Sequence, residues 1–271
     1  MAEIEEQERL DRWKALGIRT DIAHPARVYN YFLGGKDNFA IDREAAEASL
    51  RAMPQIVDSA RGNRKFLARA VQFLRDNGIR QFLDIGTGLP ISPNTHEIAQ
   101  VGHPDARVVY VDNDPVVFLH AESLMADNST TTVVRADMRD VDEVLIAARK
   151  HLDFSEPVGL LFIASLHNIP DEDDPAGIVA RYLAVLAPGS YVVISHVTGD
   201  FAPAKQDQVT AENGKRGATF VGRDKATVGL MFNGKELVEP GVVQISYWRP
   251  EGGQPDPNAN RVWGYCGIAR T

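Results

Sequence analysis

The stretch 81–90, QFLDIGTGLP, places an acidic residue and two glycines directly after a run of strand-forming residues. A helix-start signal follows at Asn94 and Glu97, so the predicted order is strand, tight turn and helix. Gly86 and Gly88 stand where a backbone needs a positive φ or where a ligand comes close. The pattern indicates a ligand-binding turn after Asp84, and a sharp turn with nothing bound is the alternative.

Two further acidic residues follow the next predicted strands. Asp112 closes the second strand and Asp137 follows the third. Because parallel strands end on the same edge of a sheet, both carboxylates are expected beside the glycine turn, where such sheets bind ligands. Asp112 lies 24 residues beyond Gly88, close to the spacing of about 20 at which an acidic residue binds a ribose diol. Together these residues predict a nucleoside site.

The glycine turn also discriminates between nucleoside cofactors. A dinucleotide site requires G-x-G-x-x-G with a helix N-terminus facing the pyrophosphate, whereas this chain reads GTGLPI, with Pro90 two residues after Gly88 and no glycine at the third position. Carboxylates at Asp84 and Asp137 would attract ammonium, sulfonium and amine groups and repel a pyrophosphate. The pattern therefore favours a cofactor with an amino-acid tail over a nicotinamide dinucleotide.

The elements that position these residues alternate between strand and helix from residue 79, which is typical of a parallel sheet covered on both faces. Strands are predicted at 79–85, 107–111, 131–136, 158–164, 190–195, 242–248 and 262–268. Helices are predicted ahead of the sheet at 3–16, 25–33, 41–53 and 56–77, and within it at 95–101, 116–126, 141–151, 175–186 and 224–232. Residues 199–222 are expected to be irregular, and loop 250–260 is expected to overhang the acceptor side.

Composition restricts the class of protein. The 271 residues include 29 basic and 37 acidic ones, a net charge of −8, and no Lys/Arg run that would follow a phosphate backbone, so nucleic-acid binding is not expected. The single cysteine, Cys266, allows neither an internal disulfide nor a multi-thiolate metal site, and no metal is predicted. The acidic start MAEIEEQERL is unlike a secretory signal, and the longest apolar run is too short to span a bilayer. A cytoplasmic protein without membrane contact is expected.

Several longer motifs resemble those of a known family. DIGTG at 84–88, YVDNDP at 110–115 and RADMRD at 135–140 resemble successive motifs of class I S-adenosylmethionine-dependent methyltransferases. PARVYNYFLGGKDNFAIDREAA, ARGNRKFLARAV and ELVEPGVV closely resemble the actinobacterial S-adenosyl methyltransferase family first catalogued as a domain of unknown function. The resemblance extends from about residue 20 to the end of the chain.

The resemblance implies a fold. It is an α/β, Rossmann-like arrangement with a mostly parallel seven-stranded sheet, an antiparallel C-terminal strand and an N-terminal helical extension. Residues 1–78 would form the extension and a cofactor lid, and residues 79–271 the methyltransferase domain, the two making one compact unit. The implied cofactor is S-adenosylmethionine, with S-adenosylhomocysteine as the product.

The resemblance also implies cofactor-binding residues. Asp112 would hold the ribose hydroxyls, and Asp137 with the Met138 backbone would read the adenine edge. Ala164 and Ser165 would flank the sulfonium. In the extension, Arg27, Tyr31 and Gly35 would fold over the cofactor. The implied set at the strand ends is Asp84, Gly86, Thr87, Gly88, Asp112, Asn113, Asp137, Met138, Ala164 and Ser165.

Methyl transfer needs a general base only when the acceptor must lose a proton. His167 and His196 are the candidate catalytic bases nearest the expected cleft, although a structural hydrogen bond is the more ordinary role for each. No D/N-P-P-Y/F sequence follows strand four, which together with the acidic balance predicts a small-molecule acceptor. A module that senses the cofactor without turnover is the alternative, and an NAD-dependent oxidoreductase is disfavoured by the absent third glycine. The sequence does not indicate an oligomeric state.

Overall fold

The computed structural model describes residues 13–124, 128–255 and 257–271. Its helices are α1 (Pro25–Phe32), α2 (Ala40–Ala52), α3 (Ile56–Asp76), α4 (Thr95–Ala99), α5 (Pro115–Leu124), α6 (Val141–Ala148), α7 (Pro175–Leu183), α8 (Pro203–Gly214) and α9 (Lys225–Leu230). Its strands are β1 (Gln81–Ile85), β2 (Arg107–Asp112), β3 (Thr131–Arg135), β4 (Gly159–Ile163), β5 (Tyr191–Val197), β6 (Glu236–Leu237), β7 (Val243–Gln244) and β8 (Gly264–Arg270). The helix predicted at 3–16 lies mostly outside the described residues, as does the end of the one predicted at 116–126.

The sheet has the order β3-β2-β1-β4-β5-β8, and β6 and β7 both pair with β8. Strands β1 to β5 are parallel, and β8 runs antiparallel to β5. The strand order reverses between β1 and β4, and such a switch point opens a crevice beyond the carboxyl ends of the strands. This confirms the predicted Rossmann-like α/β fold and places the glycine turn at the switch point.

The predicted seven strands are eight in the structure. Of the strand predicted at 242–248 only the two-residue β7 forms, and a second two-residue strand, β6, precedes it in the chain; both pair with β8. The chain then leaves the sheet in a 3₁₀ turn at Ile245–Tyr247. Ile245 and Trp248 are buried against α3, with Trp248 edge-on to Phe66 and Phe73. The apolar run at 242–248 therefore reflects helix packing as much as sheet pairing.

The prediction that residues 199–222 are irregular was wrong, because α8 occupies Pro203–Gly214. The side chains that α8 buries are Gln206, Val209 and Asn213, of which only Val209 is apolar. A helix that buries mostly polar side chains lacks the apolar stripe by which helices are recognised in a sequence. Asn213 donates hydrogen bonds to Ser49 of α2 and to the backbone of Val209, which satisfies its buried amide.

Two layers of helices enclose the sheet. On one face α3 packs against β4, β5 and β8 through side chains that include Phe66 and Leu74, and on the other face lie α6, α7 and α9. A separate apolar cluster joins α1, α2 and α8 above the carboxyl edge, with Phe32, Met53 and Val209 at its centre. Among the described residues, no helix is long and apolar enough to cross a membrane.

Candidate functional site

A cavity of about 380 Å³ lies at the carboxyl edge of the strands. Its walls come from the ends of β1 to β4, from α1 and α3, and from the segment 213–220. The predicted residues that line it are Asp84, Gly86, Thr87, Gly88, Asp112, Asn113, Asp137, Met138, Ala164, Ser165 and His167. The volume is at the lower end of the roughly 300–1,000 Å³ typical of small-molecule sites.

The two glycines of the β1 turn serve different purposes. Both have positive φ, 73° at Gly86 and 71° at Gly88. A Cβ on Gly86 would meet the Cβ of Ser165 at 2.5 Å, whereas a Cβ on Gly88 would have no atom within 4 Å and would enter open space. Gly86 is therefore required by packing against the segment after β4, and Gly88 leaves room at the cavity surface.

Asp112 fixes the glycine turn. Its Oδ2 accepts a hydrogen bond from the Gly88 backbone N–H at 2.8 Å, and its Oδ1 accepts one from the Asp114 N–H at 3.0 Å. Each oxygen retains a lone pair for a ligand hydroxyl. Burial raises the pKa of Asp112, and these backbone N–H groups act against that shift. The carboxylate is thus held in one orientation at the cavity wall.

Asp84 is buried beneath the same turn. Its Oδ2 accepts a hydrogen bond from the Thr95 hydroxyl at 2.7 Å. Burial raises the pKa of Asp84 to about 6, against the opposing effects of Thr95 and of the charge of Arg64. Arg64, on α3, donates to the backbone carbonyls of Ile91 and Pro93 at 2.6 Å each. The sequence offers Arg64 only as a candidate anchor for an anionic acceptor, with a salt bridge on the helix surface as the more ordinary role; here it lines the cavity and bonds to backbone carbonyls.

Asp137 is paired with an arginine that sequence reasoning missed. Arg139 donates to both Asp137 oxygens, at 3.0 and 2.7 Å, and also to Asp173 at 2.9 Å. Burial opposes ionisation of Asp137, yet the hydrogen bonds and charge of Arg139 outweigh it and lower the pKa. Asn113 Nδ2 lies 3.4 Å from Asp137 Oδ2. The D-x-R spacing of Asp137 and Arg139 after β3 carried no signal of this pairing.

The segment after β4 is strained and carries unpaired polar atoms. Ala164 has a φ of 54°, a left-handed conformation that costs a non-glycine residue about 1–3 kcal/mol. Ser165 is only 2% exposed, and its Oγ has no hydrogen-bond partner among the described residues. The Nδ1 of His167, which is 8% exposed, is also unpaired. Strain and orphaned polar atoms together mark a ligand site.

The two histidines lie edge to face, with ring centroids 5.7 Å apart, but only His167 lines the cavity. His196 Nδ1 is 2.7 Å from the Val197 carbonyl and its Nε2 is 2.9 Å from Arg223 Nη1, so both of its nitrogens are engaged. Burial lowers the pKa of His196 to about 4, and burial with the nearby His196 and Arg223 lowers the pKa of His167 well below its ordinary value. Both rings are neutral at physiological pH.

Arg223 holds the segment that carries His167. Its guanidinium donates to the carbonyls of Leu166 and Ile169 and to the carboxylate of Asp171, as well as to His196. The residue is 5% exposed and lies more than 50 positions along the chain from this segment. No local motif pointed to it.

Helix α1 approaches the cavity with a different face from the one predicted. Val28, Tyr29 and Phe32 line the cavity, and Arg27, Tyr31 and Gly35 do not. Arg27 is buried in ion pairs with Asp42 and Asp114, at 3.4 and 3.0 Å. The Tyr31 hydroxyl donates to Glu47 at 3.3 Å, and Gly35 packs on the Asn30 side chain.

Loop 250–260 does not supply the overhang expected of it. Arg249 stacks on Phe73, and Arg261 pairs with Asp58 at 2.7 Å, so the described part of the loop follows α3. None of its described residues lines the cavity. In the described ranges, no group of three or more histidine, cysteine or acidic side chains is placed to hold a metal ion.

These residues fit the nucleoside cofactor that the fold implies. Gly88 leaves open space at the turn, Asp112 offers free lone pairs, and Ser165 has an unsatisfied hydroxyl facing the same cavity. The family model described as S-adenosyl methyltransferase matches residues 11–271. The chain belongs to this S-adenosyl methyltransferase family. The predicted family and the predicted cofactor, S-adenosylmethionine, are confirmed.

Solved structures agree with this assignment. A DUF574 family protein from Streptomyces avermitilis is 43% identical to this methyltransferase, with a TM-score of 0.87 over 93% of this chain and 100% of the other. A candidate methyltransferase from Thermobifida fusca is 39% identical, with a TM-score of 0.86 over 93% of this chain and 96% of the other. The comparison with curated proteins yields no significant match.

Proposed function

We propose that this methyltransferase transfers the methyl group of S-adenosylmethionine to a small-molecule acceptor. The observation that carries the proposal is the cavity itself, about 380 Å³ and roofed by α1 and the segment 213–220. Such a space accommodates ligands of small-molecule size and is too small to enclose a folded macromolecule. The net charge of −8 also disfavours a nucleic-acid acceptor. The same composition and the single buried cysteine support a cytoplasmic location.

Bound S-adenosylmethionine supplies a methyl group on an electron-deficient sulfonium sulfur. Asp112 would bind the ribose hydroxyls from its fixed orientation, and Asp84 would neutralise the ammonium of the methionine part. Asp137, with Asn113 beside it, would border the adenine. Ala164 and Ser165 would flank the sulfur, and Tyr29 and Phe32 would keep water out. Positioning of this kind contributes most of the acceleration of an in-line displacement.

His167 is the candidate base for an acceptor that must lose its proton. It lines the cavity in its neutral form, so it can accept a proton from an N–H or O–H group. His196 does not line the cavity, and both of its ring nitrogens already have hydrogen-bond partners. We propose that His196 positions the His167 ring rather than reacting.

Calorimetry of the Asp112→Asn variant tests the cofactor site. The substitution removes the charge and one acceptor oxygen, so we expect affinity for S-adenosylhomocysteine to fall by about 10- to 150-fold, the equivalent of about 1.5–3 kcal/mol. It also frees one backbone N–H and so lowers stability by about 1–2 kcal/mol. Asp153→Asn is the matched control, because Asp153 also accepts a backbone N–H two residues ahead, from Ser155, and is absent from the cavity wall.

Three outcomes decide the assignment. Unchanged affinity in Asp112→Asn would remove Asp112 from the ribose site. Binding of NAD without any response to S-adenosylmethionine or S-adenosylhomocysteine would contradict the proposed function. Incubation with methyl-labelled cofactor and a host metabolite extract then separates enzyme from sensor, because absence of labelled product across all acceptor classes supports a cofactor-sensing module.

A further inference from the structure

The cavity has two chemically different ends. Its ionisable side chains gather at the carboxyl ends of β1 to β3 and at α3, where the cofactor is proposed to bind, and they are His24, Arg64, Asp84, Asp112, Asp137 and Arg139. The other end is formed by α1, α2, the first residue of α3, the segment after β4 and the segment 213–220. Of the described lining residues there, none is Asp, Glu, Lys or Arg. His167 is the one titratable imidazole at that end.

The segment after β4 runs from one end of the cavity to the other. Ser165 touches the glycine turn, since a Cβ on Gly86 would meet its Cβ at 2.5 Å. Two residues later, His167 lies against Phe220, with ring centroids 4.9 Å apart, and its carbonyl accepts a hydrogen bond from the Val221 N–H. A molecule held beside Phe220 therefore faces the cofactor across Ala164 and Ser165.

The wall of this second end includes an apolar cluster. Val28, Phe32, Ile56 and Phe220 belong to or pack against one apolar cluster, and Ser49 and Asn213 already bond to each other at 3.2 Å. A carboxylate or ammonium placed here would lose its hydration and find no opposite charge, which is a large energetic penalty. His167 does not supply an opposite charge for a carboxylate, because it is neutral at physiological pH.

Polar atoms without partners show where the ligand's polar group would lie. His167 and Asn168 both line the cavity. The Nδ1 atom of His167 and the Oδ1 atom of Asn168 are buried and have no hydrogen-bond partner among the described residues. Buried polar atoms are normally paired, so an orphaned pair in a ligand cavity indicates bonds that the ligand completes. An N–H or O–H group on the acceptor would donate to one of these two atoms.

We infer that the methyl acceptor is an uncharged, mainly apolar small molecule that presents one N–H or O–H group to the segment 165–168. This inference rests on the proposed function, because it assigns the second end of the cavity to the acceptor. The apolar wall selects the body of the acceptor, and the segment after β4 orients its reacting group toward the cofactor. Acceptors with a free carboxylate or ammonium are excluded by the missing counter-charge.

The test measures binding of matched probes to the full chain saturated with S-adenosylhomocysteine. Benzene, naphthalene and indole cores each carry a hydroxymethyl, a carboxylate or an aminomethyl group, and calorimetry ranks the three members of each series. We expect the hydroxymethyl member of at least one series to bind about tenfold or more tightly than both charged members. Equal or tighter binding of the charged members, or no binding of any hydroxymethyl member, overturns the inference.

A charge placed in the second end provides an independent check. Thr219 lines the cavity and is partly exposed, so Thr219→Lys adds an ammonium at low risk to folding. We expect it to raise affinity for the carboxylate members about tenfold or more, while Gln208→Lys, on the exposed side of α8, leaves them unchanged. If the affinity for the carboxylate members changes equally little in both variants, the acceptor site does not lie beside Thr219. Failure of S-adenosylhomocysteine to bind the native chain is a separate result, which tests the proposed function instead.

Discussion

The Ser195 hydroxyl accepts a hydrogen bond from the Ala164 backbone N–H at 2.9 Å and donates one to Asn63 Oδ1 at 2.6 Å. Ala164 has positive φ without being glycine, so its conformation requires support from its surroundings. Asn63 in turn donates to the Tyr29 hydroxyl at 3.0 Å. A buried chain of hydrogen bonds thus joins the end of β4 to α3 and to α1 along the wall of the cavity.

Replacement of Ser195 by alanine tests this support. Ser195→Ala removes both bonds of a fully buried hydroxyl, so we expect stability to urea to fall by about 1–3 kcal/mol. Affinity for S-adenosylhomocysteine is expected to fall as well, because the Ala164 N–H then keeps only its longer bond to the Ser195 carbonyl, at 3.2 Å, and Ala164 and Ser165 are held less firmly. Adding Ala164→Gly should restore much of that affinity, since glycine adopts positive φ without strain.

Ser190→Ala is the matched control for Ser195→Ala. Ser190, the residue before β5, is also fully buried, accepts a hydrogen bond from the Val158 N–H at 3.0 Å and donates to the Ala187 carbonyl at 2.6 Å. It lies at the opposite end of the strand, so we expect the same loss of stability with unchanged cofactor affinity. Equal losses of affinity in both variants would show that Ser195 has only a structural role.

Alanine substitutions at the two glycines of the β1 turn should affect different properties, mainly the stability of the protein at Gly86 and cofactor affinity at Gly88. Gly86→Ala places a methyl group against Ser165, so we expect a loss of about 2–5 kcal/mol from strain and overpacking. Gly88→Ala should lose only about 1–2 kcal/mol, because its Cβ meets no protein atom. That Cβ occupies ligand space, so affinity for S-adenosylhomocysteine should fall about tenfold or more.

Gly78→Ala supplies the comparison for Gly88→Ala. Gly78 follows α3, has a φ of 87°, and its Cβ would also have no neighbour within 4 Å, but it lies away from the cavity. Unfolding in urea and calorimetry measure both properties in each variant. If Gly78→Ala and Gly88→Ala bind the cofactor equally well, the open space at Gly88 does not belong to the cofactor site.

Cofactor affinity should depend on pH through Asp84. Burial raises the pKa of Asp84 to about 6, so the carboxyl is charged above pH 6 and protonated below it. Its attraction for the ligand ammonium is therefore present above pH 6 and is lost as the pH falls. Between pH 7 and pH 5, affinity for S-adenosylhomocysteine should change little at first and then fall by up to about tenfold per unit.

Asp84→Asn identifies the group responsible for that pH dependence. The variant carries no titrating carboxyl at this position, so we expect weaker binding that varies little between pH 5 and pH 7. The ligand's own amino and carboxyl groups ionise outside this range, at about 7.7 or above and about 3.7 or below. A slope as steep as that of the native chain would assign the dependence to another group, with Asp112 the first to examine.

Local patterns were sufficient to predict which residues meet at the carboxyl edge of the sheet, in the wall of one cavity. Each predicted position lies at or just after the end of a strand: Gly86 and Gly88 follow β1, Asp112 ends β2 and Asp137 follows β3. Parallel strands bring such positions to one edge of the sheet. The fold class followed from the same alternation of strand and helix. These are properties of short stretches, which a single sequence displays directly.

Contacts between distant stretches could not be predicted in this way. Ser195 and Asn63 are 132 positions apart, and Arg223 reaches a segment more than 50 positions before it. Helix α8 was missed because its buried face is largely polar, and the faces of α1 were misassigned because Arg27 finds buried partners in Asp42 and Asp114. In each case the partner that satisfies a buried polar group is supplied by tertiary structure.

The interrupted edge formed by β6 and β7 bears on association between molecules. A long, regular edge strand offers a row of unpaired backbone donors and acceptors to a second chain and invites aggregation. Here the edge beyond β8 consists of two pieces of two residues each, and Pro240 lies between them. A second chain would find no continuous ladder to extend, so this edge of the sheet is protected against strand-to-strand polymerisation.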